Sequence, residues 1–546
     1  MGLMFANRLN AFAVRYNKYI LYMYIPMVIA FLLPVWLNPY FVTLDGSCHL
    51  YNAGILRDLF LHRNTELFSR FYELNRDYSP NWFSHIALAT LLNFFSPSMA
   101  EKVLVSGYVI GFALFAWLLV KQIRAENQAL AFLAFTFIYT YVLQKGFYNF
   151  SFGLVFMMAA VWVHLKYYSH IRLWLFILIQ TLLLTTTYFV HPFGYLLAVA
   201  ILGSMPVFGI AQASDTLRLR LHKAAKEILA VSVAALPSIA MLLYFLTRRS
   251  GEATFPNTDT AEELWDVLHK LTGIVNLTSA EEPYAAFVFY LFAVLLVAGI
   301  AVKIYQRTLT RYDAIFAVAM GMVLFYFKAP SGFAGGGMIN QRLQIIPFVI
   351  ILFWFASVEY PKWITAIASS SAIVVSVCLL FIRLPVHAQA SELAEEYVSA
   401  QAYIKPNSTV LPLSYDHYGF TKDGKRITDG IWIFLHTADY IGAGKPLVML
   451  GNYEAATTHF PLTWKTEKNP FTLLSINAGI EGAPPCVDIA GYKQRTGERI
   501  DYIMLLCYTG GQQDNGCVQS VAAELKANYS LVYTSVTGRV KLYSLK

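Results

Sequence analysis

Charged side chains are scarce in this sequence. Asp, Glu, Lys and Arg together make up 14% of its 546 residues, whereas 57% of the side chains are apolar and the mean hydropathy is +0.50. Soluble globular domains carry about 25% charged residues. The shortage of charge therefore excludes an ordinary soluble domain and predicts a chain that resides in a membrane.

Cysteine is also scarce, and the familiar metal and nucleotide motifs are missing. The chain has five cysteines and no CxxC, HExxH or Walker-type glycine loop, so no motif indicates zinc chemistry or ATP hydrolysis. Cys378 lies in an apolar run and is interpreted as a small buried hydrophobic residue. Cys486, Cys507 and Cys517 lie in the C-terminal third, where an oxidising compartment would permit a disulfide. Cys507 with Cys517 is the preferred pair, although the sequence does not determine the connectivity.

Long apolar runs are what the sequence has in abundance. Runs of about 15 to 20 residues recur up to residue 382 and then stop, which is the spacing expected for helices that cross a hydrocarbon layer about 30 Å thick. The first run is too long for a signal peptide, so we expect a retained helix. The sequence predicts an α-helical polytopic membrane protein with about eleven transmembrane helices, at residues 19–38, 102–120, 127–144, 147–165, 172–190, 193–211, 228–247, 284–302, 312–327, 343–358 and 361–382.

Basic residues cluster in the short segments between the apolar runs, for example at Lys121 with Arg124 and at 218–226. We interpret this pattern as a sign of topology rather than of nucleic-acid binding, because cytoplasmic loops of membrane proteins are enriched in Lys and Arg. The clusters fall on one side only if 80–95 does not cross the membrane, so we expect an interfacial helix there. The prediction is a plasma (inner) membrane protein with a cytoplasmic N-terminus and an extracytoplasmic, periplasmic C-terminal domain.

The composition changes near residues 384–391, where charge, Asn, Gly and Pro return. We therefore expect a transmembrane domain at 1–383 and a soluble α/β domain at 384–546. The β-rich runs of this domain alternate with a helix near 518–527. They lie at 409–413, 446–450, 500–506, 531–535 and 540–543.

The first outer loop, residues 39–101, is long, and loops of this size usually carry function. We expect it to contain two or more interfacial helices. Asp45 follows the first span at the edge of low-dielectric surroundings, where a carboxylate can gain proton affinity and act as a general base or metal ligand. Alternatively, Asp45 or Ser47 caps the helix that follows.

This layout resembles the GT-C superfamily of membrane glycosyltransferases, which use polyprenyl-phosphate sugars. The shared features are a first span, Asp45 just beyond it, a helical outer loop with a second acid, a Pro-started interfacial helix and a span that ends in basic residues. They cover about residues 15–250 well, and the rest of the chain by architecture. The family's catalytic outer-loop acid implies that role for Asp45. The family's His-Pro-Pro start is replaced here by Ser79-Pro80-Asn81-Trp82, with His85 displaced.

A second acid and a metal are further implications of the resemblance. The second acid of the loop would be Asp77, although an ion pair with Arg76 explains Asp77 equally well. Many members carry two adjacent acids after the first span, where this chain has Asp45-Gly46. The need for a divalent cation such as Mg or Mn therefore stays open, with Asp45 and His49 as its ligands if one is bound.

Transfer from a lipid-phosphate sugar also requires groups that stabilise the departing phosphate. Lys145, Lys328 and Arg342 lie at the predicted outer ends of spans, and Arg342 is preferred because its guanidinium offers a planar pair of donors. His191, in a tight turn between two spans, and His49 are additional candidates. The alternatives are interfacial anchoring for the basic residues, capping of the turn for His191 and an orienting role for His49.

Two hypotheses for function follow. The favoured one is an enzyme, a GT-C-type glycosyltransferase that moves a sugar from a polyprenyl-phosphate donor to an extracytoplasmic glycan, lipid or protein acceptor. The other is a transporter or flippase for lipid-linked glycans, or a non-catalytic scaffold for envelope assembly. Transporters bury ionisable residues or broken helices near the bilayer midplane. Here the charges gather at the ends of spans, which favours the enzyme.

Overall fold

The computed structural model describes residues 14–75, 79–212, 216–249, 254–333, 336–457, 459–477, 479–508 and 515–546. The α-helices in these ranges are α1 (Tyr24–Ala30), α2 (Leu33–Trp36), α3 (Gly46–Phe60), α4 (Thr65–Phe71), α5 (Phe83–Leu91), α6 (Pro97–Ile123), α7 (Tyr141–Gln144), α8 (Tyr148–Tyr167), α9 (Leu173–Val190), α10 (Pro192–Gln212), α11 (Leu217–Arg248), α12 (Ala261–His269), α13 (Glu282–Gln306), α14 (Asp313–Tyr326), α15 (Ile339–Leu343), α16 (Ile346–Ser357), α17 (Lys362–Val398), α18 (Asp439–Ala443), α19 (Pro470–Leu473), α20 (Ile489–Thr496) and α21 (Gly516–Asn528).

Nine helices in the described ranges are long and apolar enough to cross a membrane. A tenth apolar helix, Asp313–Tyr326, is shorter. All ten coincide with predicted spans, and the architecture is that of a polytopic helical membrane protein. The nine are Val14–Trp36, Pro97–Ile123, Tyr148–Tyr167, Leu173–Val190, Pro192–Ala211, Leu217–Arg248, Ser279–Gln306, Ile339–Ser357 and Lys362–Tyr403.

The remaining predicted span, 127–144, differs from the expected α-helix. Most of it is a 3-10 helix, Ala125–Phe137, and the four-residue helix α7 follows. A 3-10 helix rises about 2.0 Å per residue, so thirteen residues reach roughly 26 Å, further than the same residues would in an α-helix. The segment packs against α16, which is buried along its whole length. Apolar periodicity identifies such a buried segment but does not reveal how tightly it is wound.

The chain forms two compact units. One consists of Met1–Leu33, Ser106–Leu143 and Asn149–Ile382. The other consists of Pro34–Val105, Gln144–Tyr148 and Arg383–Lys546, so the outer loop and the C-terminal region belong to the same unit. Short strands β1 (Tyr72–Leu74) and β4 (Leu462–Trp464) pair antiparallel within it, with Tyr72 opposite Trp464. This pairing ties the outer loop to the C-terminal region.

The main sheet of the second unit has five strands in the order β3-β2-β5-β7-β6. Strands β2 (Ser408–Ser414), β3 (Leu447–Met449) and β5 (Tyr502–Leu506) run parallel, and β7 (Val540–Leu545) and β6 (Tyr529–Thr534) complete the sheet antiparallel. These strands and α21 match the predicted runs closely. The predicted C-terminal α/β architecture is confirmed.

The preferred disulfide between Cys507 and Cys517 is wrong. Cys486 pairs with Cys517, and Cys507 is a buried free thiol. Cys507 directly follows β5, where its Sγ lies 3.1 Å from the Tyr397 hydroxyl. Cys517 lies in the first turn of α21, next to α20 rather than to the end of β5. Cys507 is thus buried against Tyr397, whereas the Cα atoms of Cys486 and Cys517 are 4.9 Å apart, within reach of a disulfide.

Candidate active site

The backbone that carries Asp45 lies against residues 144–146. The Leu44 N–H donates to the Gln144 carbonyl at 3.0 Å, and the Asp45 N–H donates to the Lys145 carbonyl at 3.2 Å. Gly146 follows with φ +85°, and a Cβ at this position would lie 2.8 Å from the Asp45 Cβ. Only glycine combines that backbone angle with so close an approach. Two segments a hundred residues apart are thereby held together around Asp45.

Asp45 occupies the position just before α3, but its side chain does not cap the helix. The Gly46 N–H donates instead to Thr43 Oγ1 at 3.1 Å. The Asp45 side chain is buried, only 5% exposed, and interacts with the Tyr453 hydroxyl and with Lys145. Its carboxylate is therefore available for chemistry rather than engaged in holding the helix end.

Burial raises the pKa of Asp45 from 3.8 to about 7. His49, the hydrogen bond from Tyr453 and Lys145 act in the opposite direction, because each favours the charged carboxylate, while Glu454 adds to the increase. A carboxyl group that ionises near neutral pH can take a proton from a hydroxyl and release it again. This is the property that general-base catalysis needs.

Two residues from the C-terminal region complete the surroundings of Asp45. His436 Nε2 lies 4.0 Å from Asp45 Oδ1 and 3.7 Å from Glu481 Oε1. The His436 ring stacks on Tyr453, with 4.4 Å between the ring centroids. Burial lowers the pKa of His436 to about 3, so its imidazole is neutral. Neither His436 nor Tyr453 belongs to a motif that can be recognised in the sequence.

His49, His85 and Glu454 form a buried cluster whose ligand atoms all lie within 4.8 Å of one another. His85 Nε2 lies 2.8 Å from Glu454 Oε2, and His49 Nδ1 contacts Glu454 Oε1. His49 Nε2 donates to the Gly146 carbonyl at 2.9 Å, because a carbonyl oxygen can only accept. With the proton on Nε2, Nδ1 of the neutral ring is free to bind a metal ion. If Nδ1 is protonated as well, the ring is a cation that forms an ion pair with Glu454.

The charges in this cluster are strongly coupled. Burial opposes ionisation of Glu454, but His49 and His85 outweigh it and lower the pKa of Glu454 to about 2. Burial likewise opposes protonation of His49, and Glu454 outweighs it, so the pKa of His49 is raised. For His85 burial prevails and the pKa is lowered. The cluster therefore holds a permanent carboxylate between two imidazoles, a donor set that suits a divalent cation.

Glu101 is a second buried acid close to Asp45. It lies in α6 and accepts hydrogen bonds from the Tyr148 hydroxyl at 2.8 Å and the Tyr440 hydroxyl at 2.6 Å. A Cβ added to Gly46 would collide with Glu101 Oε1. Asp77, the second acid predicted from the sequence, lies outside the described residues.

The other predicted site residues fall in both units. Lys145 lies in the second unit with Asp45, and its ammonium is 5.4 Å from the centre of the Trp432 ring. His191, Lys328 and Arg342 belong to the first unit. Arg342, in α15, donates through Nη1 to the Gly337 carbonyl at 2.7 Å, and Lys328 is exposed just beyond α14.

His191 lies in the turn between α9 and α10 and makes a capping contact. Its Nδ1 accepts the Phe193 N–H at 3.1 Å, and the two rings stack. The side chain is buried. This geometry fits the turn-capping alternative weighed from the sequence.

No protein-family model matches this sequence, and no curated protein matches it. Solved structures match its fold. ArnT from Cupriavidus metallidurans in the apo state aligns with 95% of this chain and 97% of its own, at a TM-score of 0.51 and 11% identity. The same protein bound to undecaprenyl phosphate aligns with 97% of this chain and 98% of its own, at a TM-score of 0.49 and 12% identity. The Archaeoglobus fulgidus oligosaccharyltransferase in complex with Zn and sulfate aligns with 96% of this chain and 73% of its own, at a TM-score of 0.35 and 13% identity.

The match to apo ArnT extends over nearly the full length of both chains. It therefore includes the membrane helices, the outer loop and the C-terminal sheet together. The chain shares the fold of apo ArnT, a polytopic helical membrane protein with a C-terminal α/β region, as the sequence predicted.

Proposed function

We propose that this chain is a membrane glycosyltransferase that transfers a sugar from a polyprenyl-phosphate donor to an acceptor, with Asp45 as the general base. The observation that carries the proposal is the buried Asp45 carboxyl group, whose pKa of about 7 suits proton transfer at neutral pH. Asp45 occupies the outer loop of a chain that shares its fold with ArnT, a protein solved with undecaprenyl phosphate bound.

The chemistry requires one base and one cationic group. Asp45 takes the proton of the acceptor hydroxyl while the oxygen of that hydroxyl bonds to the anomeric carbon. The bond from that carbon to the phosphate oxygen breaks, and the polyprenyl phosphate leaves with the bonding electrons. Lys145 interacts electrostatically with Asp45 and is suited to stabilise the departing phosphate. Arg342, Lys328 and His191 are further candidates for contacts with the donor phosphate.

The proposed location is the inner membrane, with the outer loop and the C-terminal region on the extracytoplasmic side. The basic residues between spans support this orientation, because they mark the cytoplasmic face. Acceptor and lipid-linked donor would then meet outside the cytoplasm.

A transporter, flippase or scaffold is the competing function. In the described part of the first unit, ion pairs join ionisable residues of different helices, and His164, Lys303 and Asp313 lie within four residues of a helix end. His164 Nε2 lies 2.6 Å from Glu227, and Lys303 Nζ lies 2.9 Å from Asp313. Transporters bury ionisable residues near the bilayer midplane, whereas His164, Lys303 and Asp313 lie close to the ends of their helices. The position of these charged residues therefore favours the enzyme.

The test of function uses the purified chain in nanodiscs with a panel of polyprenyl-phosphate sugars and candidate acceptors. A nanodisc has no second compartment, so a flippase or scaffold would leave the lipid-linked sugar chemically intact. We expect free polyprenyl phosphate and a glycosylated acceptor, detected by mass spectrometry. An intact donor, bound to the protein in the presence of acceptors, would support the competing function.

A zinc ion held by His49, His85 and Glu454 is part of the proposal. Two imidazole nitrogens and a carboxylate favour zinc over the Mg or Mn considered from the sequence. His49 Nδ1 and Glu454 Oε1 are buried side by side without a hydrogen bond, an arrangement that fits two ligands of one cation. The ion would join α3, α5 and the Glu454 segment. Asp45 is not a member of this donor set.

Metal content distinguishes a zinc site from an ion pair between His49 and Glu454. We expect elemental analysis to find one zinc per chain, lost in His85→Ala and retained in His170→Ala, which removes an exposed histidine. Chelation should lower the melting temperature of the wild type but not of His85→Ala. If the wild type contains no zinc and chelation leaves its melting temperature unchanged, the cluster is an ion pair between His49 and Glu454.

A further inference from the structure

The parallel strands of the main sheet create a crevice at their carboxyl ends. Strands β2 and β5 are adjacent and parallel, with Leu413 opposite Leu505. The chain leaves β2 through α18 towards β3 on one side, and leaves β5 through α21 towards β6 and β7 on the other. Open α/β sheets bind ligands where the connections of two adjacent strands diverge in this way. The topology therefore marks the ends of β2 and β5 as a ligand position.

A cleft of about 260 Å³ begins at this position. Tyr415 directly follows β2, Tyr508 comes two residues after β5, and Tyr529 and Tyr543 lie on β6 and β7. Helix α21 forms the opposite wall with an apolar face and contributes Lys526. We call this feature the tyrosine cleft. Its volume is slightly below the range of about 300–1,000 Å³ typical of small-molecule sites, which suits a ligand of one or two rings.

The tyrosines at the mouth of the cleft are held in place but keep their hydroxyls available. The Tyr415 N–H donates to the Leu506 carbonyl at 2.9 Å, and the Tyr415 and Tyr508 rings lie 4.8 Å apart at 57°. Burial, with Tyr508 and Tyr543 nearby, raises the pKa of Tyr415 to about 12, so its hydroxyl stays protonated. Among the described residues, none hydrogen-bonds to the hydroxyl of Tyr415, Tyr508 or Tyr543.

The charged side chains that line the tyrosine cleft are basic, and Glu524 and Asp501 lie behind this lining, close enough to Tyr529 to add to the rise that burial causes in its pKa. Lys526 lines the cleft, and the Lys541 ammonium lies 5.8 Å from the centre of the Tyr508 ring. No Asp or Glu is among its described lining residues. Flat aromatic faces bind the apolar faces of sugar rings, hydroxyl groups exchange hydrogen bonds with sugar hydroxyls, and lysines attract an anionic substituent.

We infer that the tyrosine cleft binds an acidic saccharide, a sugar that carries a carboxylate or a phosphate. The cleft shares no lining residue with the Asp45 site, so the inference goes beyond the proposed transfer reaction. It holds whether or not the chain transfers sugars. It assigns to the C-terminal region a glycan-binding site of its own.

The test measures binding to the full chain in nanodiscs of neutral lipid by saturation-transfer NMR and calorimetry. The probes are methyl glucuronide, glucose 6-phosphate and the neutral methyl glucoside. We expect the two anionic probes to bind, and the neutral probe to bind about two- to fivefold more weakly because it lacks the charge interaction with lysine. A uronoside attached to a lipid in the disc distinguishes two sources of the saccharide. Tighter binding of this probe than of methyl glucuronide indicates a membrane-linked glycan, and equal binding indicates a soluble one.

Variants connect binding to the cleft. Tyr508→Ala should weaken binding by about tenfold, because it removes the stacking face. Tyr508→Phe should weaken binding less, and Lys526→Gln should remove the preference for anionic probes. The matched control is Tyr403→Ala, which deletes an exposed tyrosine stacked on Tyr533, away from the cleft. Absence of saturation transfer for every probe, or binding unchanged in both Tyr508→Ala and Lys526→Gln with the fold intact, would overturn the inference.

Discussion

Asp45 combines two properties that rarely occur together in one carboxyl group. It is almost fully buried, yet it faces Tyr453, Lys145 and His436 rather than apolar side chains alone. Burial raises the pKa, and the polar neighbours keep it from rising beyond the neutral range. The balance between these effects makes the protonation state of Asp45 sensitive to a single hydrogen bond.

The pH dependence of turnover should report this balance. A general base works in its ionised form, so kcat/KM should increase with pH through about 7, the pKa of Asp45. Tyr453→Phe removes a hydrogen bond that favours the carboxylate and should move the increase to higher pH. The measurement is the pH–rate profile of both proteins, with Tyr403→Phe as a control. Superimposable profiles for wild type and Tyr453→Phe would contradict the assigned role of this hydrogen bond.

Part of this site could be predicted from the sequence. Asp45 and His49 are four residues apart in the chain, and Lys145 stands out as a basic residue at an outer span end. Glu454 is different, because it reaches His85 across 369 residues and belongs to no recognisable motif. Local spacing contains no information about such a contact. The paired strands β1 and β4, also missed from the sequence, belong to the same connection between distant segments.

At the scale of elements, helices α8 and α10 approach each other through two glycines. A Cβ added to Gly194 would collide with the backbone of Gly153. Small residues at such points allow close helix packing in membranes. Gly203 lies on the same helix α10, and a Cβ there would meet nothing within 4 Å. The helix thus provides its own control position.

Gly194→Ala should destabilise the protein by about 1–3 kcal/mol, because backbone atoms must move apart to accept the methyl group. Gly203→Ala should leave stability unchanged or raise it by up to about 1 kcal/mol, since alanine favours a helix. Thermal unfolding in detergent compares the two variants. Equal melting temperatures for the two would show that the contact between α8 and α10 is not close-packed.

Element types were easier to predict than their details. Hydropathy identified ten helices, and runs of β-favouring residues identified the strands of the C-terminal sheet, because burial favours apolar residues in both. The winding of Ala125–Phe137 and the pairing of Cys486 with Cys517 depend on packing against residues far along the chain. Three C-terminal cysteines permit three pairings, and only the fold selects one.

The whole molecule gathers segments from three parts of the chain into the unit that contains Asp45. Composition locates the change from apolar to polar sequence near residue 384, whereas the helix α17 runs without a break to Val398. Hydropathy reports which residues face lipid, but it does not report which soluble segments fold together. The membership of the outer loop in the second unit therefore comes from the structure.

The proposed orientation of the whole molecule makes a prediction about its cysteines. Cys486 and Cys517 should be joined in the protein isolated from cells, because the extracytoplasmic space is oxidising. Cys48 and Cys507 are buried and should remain thiols. Peptide mapping under non-reducing conditions, after blocking free thiols, detects the crosslink. Cys486 and Cys517 recovered as free thiols from native membranes would place the C-terminal region on the reducing side.

The central claim is that Asp45 catalyses release of the polyprenyl carrier. The most direct measurement compares the wild type with Asp45→Asn. The control is Asp423→Asn, which alters an exposed acid in the same unit. Release of polyprenyl phosphate is followed in nanodiscs, and donor binding is measured separately. We predict a loss of about 10²–10⁴-fold in release for Asp45→Asn with binding retained, as expected for removal of a general base, and no change for Asp423→Asn. Equal release by wild type and Asp45→Asn would contradict the account.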